Sequence, residues 1–116
     1  MKIRIKDNSV RFRLAQNEVS ELVTTGETWS KCDFGNGTFV YGIKSTNAQS
    51  ISCSFSNERV VAQIPETLLT DWHTDERVGF DHKENGLFVL IEKDWQCLKP
   101  RDDEDESNLY THPAAK

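Results

Sequence analysis

The second half of the chain resembles the first half at a nearly constant spacing. Residues 36–44 and 85–93 both begin with Asn-Gly and share five identities in nine positions, at an offset of 49. Farther upstream, apolar positions of the two halves match at an offset of 50. Self-similarity at a fixed period indicates repeated structural units, although Asn-Gly before an aromatic and a β-branched residue is also common in unrelated tight hairpins. We therefore predict two pseudo-symmetric units, at about residues 2–44 and 51–93.

Hydrophobic periodicity predicts the element order ββαββ in each unit. In the first unit, strands are predicted at 2–6 and 10–14, a helix at 15–24 before Gly26, and strands at 27–34 and 38–44. In the second unit, strands are predicted at 51–55 and 60–64, a helix from Pro65 to about His73, and strands at 78–82 and 87–93. Eight strands and two short helices, joined largely by hairpins, indicate an α+β fold with antiparallel sheets. The alternation fits a sandwich and an open barrel equally well.

Length and composition predict one compact domain with a thin core. The chain has 116 residues, of which 36% are hydrophobic and 28% are charged. We expect a single α+β domain over residues 1–98 and an acidic C-terminal tail over residues 99–116. The tail contains five consecutive acids, Asp102 to Glu106. Such a run either stays solvated or folds back on a basic surface.

Cysteine usage and the absence of a long apolar run indicate a cytoplasmic protein. The cysteines Cys32, Cys53 and Cys97 are odd in number and widely spaced, which fits reduced thiols better than a disulfide framework. Cys32 and Cys53 fall in predicted strands with apolar neighbours, so we expect both to pack in the core. The longest aliphatic or aromatic run is residues 87–91, so neither a targeting signal nor a membrane segment is predicted.

Five cations alternate with apolar residues in the predicted first hairpin. They are Lys2, Arg4, Lys6, Arg11 and Arg13. Period-two alternation turns the cations to one face, and it turns to the core the residues Ile3, Ile5, Val10, Phe12 and Leu14. One interpretation is a solvated edge hairpin whose charges deter aggregation. The other is a binding face for an acidic partner or an anionic ligand.

No residue pattern predicts a metal site, a cofactor or a catalytic group. His73, His82 and His112 lack zinc-ligand spacing, and the acidic run lacks the glycine of a calcium loop. Cys97 and His112 are the one pair compatible with nucleophilic catalysis. However, a cysteine close to tryptophan and leucine is more typical of a buried thiol.

Two tryptophans are predicted to differ in exposure. Trp72 shares a helix face with Leu68 and Leu69, which indicates a core position. Trp29 alternates with charged residues on the polar side of its strand, so it is the better candidate for a surface contact. Even there, we expect partial burial under a neighbouring loop.

Two sequence blocks, one at each end of the chain, carry a family resemblance. The first is Met1-Lys2-Ile3-Arg4-Ile5-Lys6 followed by residues 9–14 and Glu18-Val19, and the second is residues 91–98 before an arginine and an acidic stretch. Together they resemble a family of short, uncharacterised bacterial proteins of the Bacteroidetes type. The resemblance spans nearly the whole chain. It implies no activity, because that family has no known function to transfer.

These observations predict a noncatalytic interaction or ligand-binding domain that uses the basic hairpin face. Its partner would be an acidic protein or an anionic small ligand, and hairpin edges could also pair in a homodimer. The net charge of −5 argues against a nucleic-acid partner. The alternative is an enzyme acting on an anionic or phosphorylated small molecule, with Arg4, Arg11 and Arg13 binding its charge.

Overall fold

The structure, a computed structural model, describes residues 1–95. This part of the chain contains eight strands, one α-helix and one short 3₁₀ helix. The strands are β1 (Lys2–Lys6), β2 (Ser9–Leu14), β3 (Glu27–Asp33), β4 (Thr38–Thr46), β5 (Ser52–Ser56), β6 (Arg59–Pro65), β7 (Gly79–Glu84) and β8 (Leu87–Lys93). The α-helix is α1 (Gln16–Thr25), and the 3₁₀ helix spans Glu66–Leu69. The predicted α+β class and strand number are confirmed.

The eight strands form two four-stranded sheets. Sheet A has the order β1-β2-β8-β7, and sheet B has the order β3-β4-β6-β5. Each sheet therefore combines one hairpin from the first half of the chain with one from the second half. Over residues 1–95 the sheets stay separate and do not close, so the architecture is a two-sheet sandwich and not an open barrel. Within this range, no helix is long and apolar enough to cross a membrane.

The prediction of wholly antiparallel sheets is wrong at the centre of each sheet. β2 pairs with β8 in parallel, and β4 pairs with β6 in parallel, whereas the other ladders are antiparallel. The cause is that two hairpins meet through their second strands with their turns side by side. In sheet A, the Asn8 side chain donates a hydrogen bond to the Gly86 carbonyl at 2.7 Å, which joins the two turns. Alternation specifies pairing within a hairpin but not between hairpins.

Helix α1 ends where the sequence predicts, whereas the second predicted helix is much shorter. Gly26 adopts φ 89° and its amide donates to the Leu22 carbonyl at 3.0 Å, a left-handed C-cap. The predicted helix from Pro65 to His73 is a 3₁₀ helix that ends at Leu69. Asp71 has φ 61°, a left-handed conformation that a helix cannot continue through. The chain turns there and buries Trp72.

The core lies between the sheets and beneath α1. Within residues 1–95, seven large apolar side chains are fully buried, and they are Trp72, Phe12, Leu14, Leu22, Ile43, Ile64 and Ile91. The Trp72 ring packs 5.0 Å from the Phe80 ring, and its Nε1 donates to the Arg77 carbonyl at 2.9 Å. The predicted core position of Trp72 is therefore confirmed. Burial of each such side chain stabilises the fold by about 1.5–3 kcal/mol.

Several inward-facing residues, including the predicted core residues Ile5 and Cys32, are exposed because they lie on edge strands. Ile5 is 61% exposed and Phe55 is 70% exposed, although their cross-strand partners Val10 and Val60 are buried. Cys32, on edge strand β3, is exposed, and Cys53 on β5 is half-buried. The core covers the two central strands of each sheet, so an inward position on an edge strand receives cover from one side only.

The hairpins β1–β2 and β5–β6 have the same register. Lys2 pairs with Arg13 and Lys6 with Ser9, just as Ser52 pairs with Gln63 and Ser56 with Arg59. In all five residue pairs of β5–β6, the residue numbers are 50 higher than in the corresponding pair of β1–β2. The offset of 49 between the Asn-Gly segments does not mark equivalent turns. Asn85-Gly86 is a two-residue turn, whereas β3 and β4 are joined by the four residues 34–37.

Candidate anion-binding face

The structure brings the five predicted site residues together on the outer surface of hairpin β1–β2. Register places Lys2 opposite Arg13 and Arg4 opposite Arg11, and Lys6 is opposite Ser9. Paired residues point to the same side of a sheet, away from the buried residues of β2. We call the surface formed by Lys2, Arg4, Lys6, Arg11 and Arg13 the basic face.

The turn that joins β1 and β2 fixes the position of the basic face. Asp7 adopts φ 49°, a left-handed conformation that Asp tolerates better than most residues. The Ser9 hydroxyl donates to the Lys6 carbonyl at 2.8 Å across the turn. The Asn8 bond to the neighbouring turn then holds this end of the hairpin against β8. The face is therefore built on a two-residue turn with limited freedom.

Two carboxylates neutralise one end of the basic face. Glu92 lies on β8 beside Arg13, with its Oε1 3.1 Å from Arg13 Nε and 3.5 Å from Arg11 Nε. Lys2 Nζ lies 2.9 Å from Asp94 Oδ2. Arg13 Nε is buried, and its contact with Glu92 is ionic without hydrogen-bond alignment. One carboxylate is thus shared by two arginines, which leaves a net positive charge at this contact.

The other end of the basic face retains unbalanced positive charge. Within residues 1–95, neither Arg4 nor Lys6 forms an ion pair with a carboxylate. Arg4 and Arg11 are directly opposite, and like charges in that arrangement destabilise a sheet by about 0.2–1 kcal/mol. An anion held between them would remove this repulsion.

A shallow depression lies at this unbalanced end. It has a volume of about 160 Å³ and is lined by Arg4, Lys6, Ser9, Val10, Arg11 and Phe88. Phe88, on β8, is half-buried, and its cross-strand neighbour on β7 is Lys83, a further cation. Guanidinium groups bind phosphate and carboxylate through paired hydrogen bonds, and an aromatic ring offers a flat apolar contact beside them. The depression can therefore hold one anionic group.

Sequence reasoning missed Phe88, Lys83 and the two neutralising carboxylates. A signal for Phe88 exists, because residues 87–91 are apolar on both faces of their strand instead of alternating. Glu92 gave no such signal, because its contact with Arg13 depends on the parallel pairing of β2 with β8.

The histidines and cysteines considered as metal ligands or catalytic groups do not all come together in one site within residues 1–95. His73 and His82 are on different parts of the fold, and within residues 1–95 no three His, Cys, Asp or Glu side chains are placed to hold a metal ion. Cys53 and His82 line one cavity of about 190 Å³ between the sheets. Burial there raises the pKa of the Cys53 thiol to about 11, so this thiol is neutral at physiological pH. Cys97 and His112 lie outside the described residues.

A cavity of about 550 Å³, lined by both polar and apolar side chains, lies between α1 and the end of β8. Asp75 at its edge accepts a hydrogen bond from Arg77 Nε at 2.6 Å, and Lys93 Nζ lies 3.7 Å from its Oδ1. Desolvation acts to raise the pKa of Asp75, but the hydrogen bonds and the charges of Arg77 and Lys93 outweigh it, so the pKa is lowered. These contacts tie the segment after the 3₁₀ helix to β8, which is a structural role.

Trp29 is half-buried by a strand, and not by a loop as predicted. Its ring lies across Gly42, where a Cβ atom would be 2.3 Å from Trp29 Cε3. Its Nε1 donates to Glu27 at 2.7 Å, and the Arg59 guanidinium lies 5.8 Å from the ring centroid. Trp29 is therefore held by local packing on the outer surface of sheet B.

Comparison with known proteins adds a family but no activity. Residues 1–114 match a family of unknown function, DUF7009. The chain belongs to this family. Searches of curated proteins and of solved structures found no match. The match covers nearly the whole chain, as the resemblance at its two ends predicts, and the function of the protein is unknown.

Proposed function

We propose that the protein is a noncatalytic binding domain that holds a phosphate- or carboxylate-bearing ligand on the basic face. One observation carries this proposal. Hairpin β5–β6 has the same register and the same edge position, yet at the positions matching the five cations it has neutral residues, and these are Ser52, Ser54, Ser56, Val61 and Gln63. The hairpin geometry therefore does not require the cations.

The unbalanced end of the basic face supplies the binding groups. Arg4 and Arg11 are paired across the hairpin, so their guanidinium groups can approach one anion from two sides. Lys6 and Lys83 add positive charge around Phe88. Each hydrogen bond to a charged group contributes about 1.5–3 kcal/mol, and relief of the Arg4–Arg11 repulsion adds to it.

The enzyme alternative would need a general base or a metal ligand next to the arginines. Among residues 1–95, the other side chains that line the depression come from Lys6, Ser9, Val10 and Phe88. None of these types is a usual base or metal ligand at neutral pH. We therefore propose binding without a chemical step.

We also propose that the chain is bacterial and cytoplasmic and contains an internal duplication. The reduced-thiol pattern of its cysteines supports a cytoplasmic location. The duplication is supported by the common register of hairpins β1–β2 and β5–β6. It is also supported by the sheet topology, because sheet A takes the strand order of sheet B when β1–β4 exchange numbers with β5–β8. We further propose that residues 1–98 are one domain and that residues 99–116 are an acidic tail.

A thermal-shift screen tests the binding proposal. The purified protein is heated with inorganic phosphate, nucleotides, polyphosphate and poly-glutamate, each at low salt. The variant Arg4→Ala/Arg11→Ala removes the paired arginines. The control Lys31→Ala/Lys44→Ala removes the same net charge from exposed positions of sheet B.

We expect at least one anion to raise the melting temperature of the wild type and of the control variant, but not that of the arginine variant. Equal shifts in all three proteins would show nonspecific screening by salt and would contradict the proposal. A lack of any shift at millimolar concentrations of every anion would also contradict it.

A further inference from the structure

The four edge strands of the two sheets differ in how they are protected. β1 carries three cations, β3 carries Glu27, Lys31 and Asp33, and β7 carries Asp81, Lys83 and Glu84. Charges on an edge strand prevent it from pairing with another chain. β5 reads Ser-Cys-Ser-Phe-Ser and has no charge. It is thus the unprotected edge of the described fold.

Apolar surface is exposed at the turn end of the same sheet, beside β5. Phe55 on β5 is 70% exposed, and Phe34, beyond the end of β3, is 69% exposed. With the half-buried Phe39 they line a groove of about 330 Å³ at the turn end of sheet B. Exposed aromatic residues next to unpaired backbone groups are typical of a surface that binds an extended strand.

We propose that β5 pairs with β5 of a second copy of this chain, antiparallel and across a twofold axis at Ser54. In that register, Ser52 lies opposite Ser56 of the partner subunit and Cys53 lies opposite Phe55 of the partner subunit. The two copies of Ser54 face each other. The pairing would join the two copies of sheet B into one continuous eight-stranded sheet. This proposal is independent of the basic face, which lies on sheet A.

The charge pattern favours a second copy of this chain as the molecule that pairs with β5. Twofold pairing sets a strand against its own reversed sequence, so a charge on the axis meets its own copy. For β1 this would oppose Arg4 to itself and Lys2 to Lys6, which is repulsive. For β5 it opposes serine to serine on the outer surface, where hydroxyl groups can exchange hydrogen bonds. On the inner side, Phe55 of each copy would be covered by Cys53 of the other.

The oligomeric state tests this pairing. Light scattering after size exclusion, from micromolar to near-millimolar concentrations, measures the mass of the wild type and two variants. Ser54→Lys places two lysines in contact at the proposed axis. The control Gln63→Lys adds the same charge to the outer surface of the same hairpin, but on the internal strand β6. Both positions are exposed, so we expect both variants to fold, as circular dichroism would verify.

We expect a dimer for the wild type and Gln63→Lys, and a monomer for Ser54→Lys. A wild type that stays monomeric throughout the range would overturn the proposal and leave an extended peptide of another protein as the occupant. A dimer that survives Ser54→Lys, or is lost equally in both variants, would also overturn it, because the contact would then lie elsewhere.

A cross-linking experiment tests the register itself. Directly opposite residues in an antiparallel pair have Cα atoms about 4.5–5.5 Å apart, which is within the range of a disulfide. In a chain with Cys32→Ser and Cys97→Ser, we expect Ser54→Cys to give a covalent dimer on mild oxidation, and Gln63→Cys to give little more than the parent. Equal yields from both variants would contradict the twofold at Ser54.

Discussion

Hairpins β1–β2 and β5–β6 have the same backbone arrangement but opposite surface chemistry. Both are two-residue-turn hairpins at one edge of a four-stranded sheet, and both pass their second strand to a parallel partner. One presents five cations to solvent, and the other presents serine, valine and glutamine at the matching positions. The difference indicates that the turn and the inward residues determine the hairpin. The outward residues are free to carry function.

The inward residues of the two hairpins are matched in position but not in volume. Phe12 and Ala62 are both fully buried, in β2 and β6 respectively. In the second half of the chain, Ala62 belongs to the same apolar cluster as Trp72, which is the largest buried side chain. The core is therefore filled by complementary, and not identical, side chains from the two halves.

Of the substitutions that compare the two halves of the molecule, Phe12→Ala should reduce stability the most. It gives β2 the residue that β6 has at the matching position, and it leaves a cavity where the buried Phe12 ring lay. We expect a loss of about 3–5 kcal/mol in the free energy of unfolding, measured by urea denaturation. A loss below about 1 kcal/mol would mean that the two hairpins are interchangeable in the core.

The substitution Gly42→Ala tests the close contact between Trp29 and β4, a central strand of sheet B. In β4 a Cβ atom at Gly42 would lie 2.3 Å from the Trp29 ring and 2.8 Å from the Thr28 carbonyl. We expect a cost of about 1–3 kcal/mol from this overpacking. In the background Trp29→Ala the cost should fall, because the ring contact is gone. The same cost in both backgrounds would show that the Thr28 backbone alone sets it.

Cys53, the inward residue near the start of β5, should respond to alkaline pH, whereas its counterpart Ile3 in β1 cannot. Burial raises the pKa of the Cys53 thiol from 9.0 to about 11. The folded state then retains its proton while the unfolded state loses it. Stability is therefore complete below pH 9 and falls as the pH rises from about 9 to about 11.

We expect this fall to be about 1 kcal/mol, less than the full pKa shift would give, because the thiol is partly exposed. Urea denaturation at a series of pH values measures it. The variant Cys53→Ser should flatten the curve over this range, and an equally steep fall in that variant would assign the effect to another group.

The substitution Arg4→Ser gives β1 the residue found at Ser54 of β5. Removal of one member of the Arg4–Arg11 pair should raise the free energy of unfolding by about 0.2–1 kcal/mol at low salt. The gain should shrink as salt screens the charges. A loss of stability at low salt would show that Arg4 stabilises the fold. The basic face would then have a structural role, and the binding interpretation would lose support.

The sequence predicted the local elements well because alternation, turn residues and the Gly26 cap are encoded within a few residues. It also predicted that Lys2, Arg4, Lys6, Arg11 and Arg13 share one face, which follows from register in a tight hairpin. The parallel central ladders and the contact of Glu92 with Arg13 were not predictable in this way, because alternation does not specify which hairpins pair with each other.

The length of the second predicted helix was wrong for a related reason. Residues after Leu69 have a helical apolar spacing, but the chain must turn at Asp71 for Trp72 to reach the core. Tertiary packing thus outweighs local periodicity there. The exposure of Ile5 and Phe55 has the same origin, since alternation identifies a side of a strand but not whether another layer covers it.

The central claim is that the basic face of β1–β2, and not the matching surface of β5–β6, binds anions. An ¹⁵N NMR titration of the full chain with phosphate and polyphosphate at low salt tests it most directly. We predict saturable shifts of amide signals in β1, β2 and around Phe88, with signals of β5 and β6 unchanged, and loss of these shifts in Arg4→Ala/Arg11→Ala. Shifts of equal size on both hairpins, or shifts that persist in the arginine variant, would contradict the account.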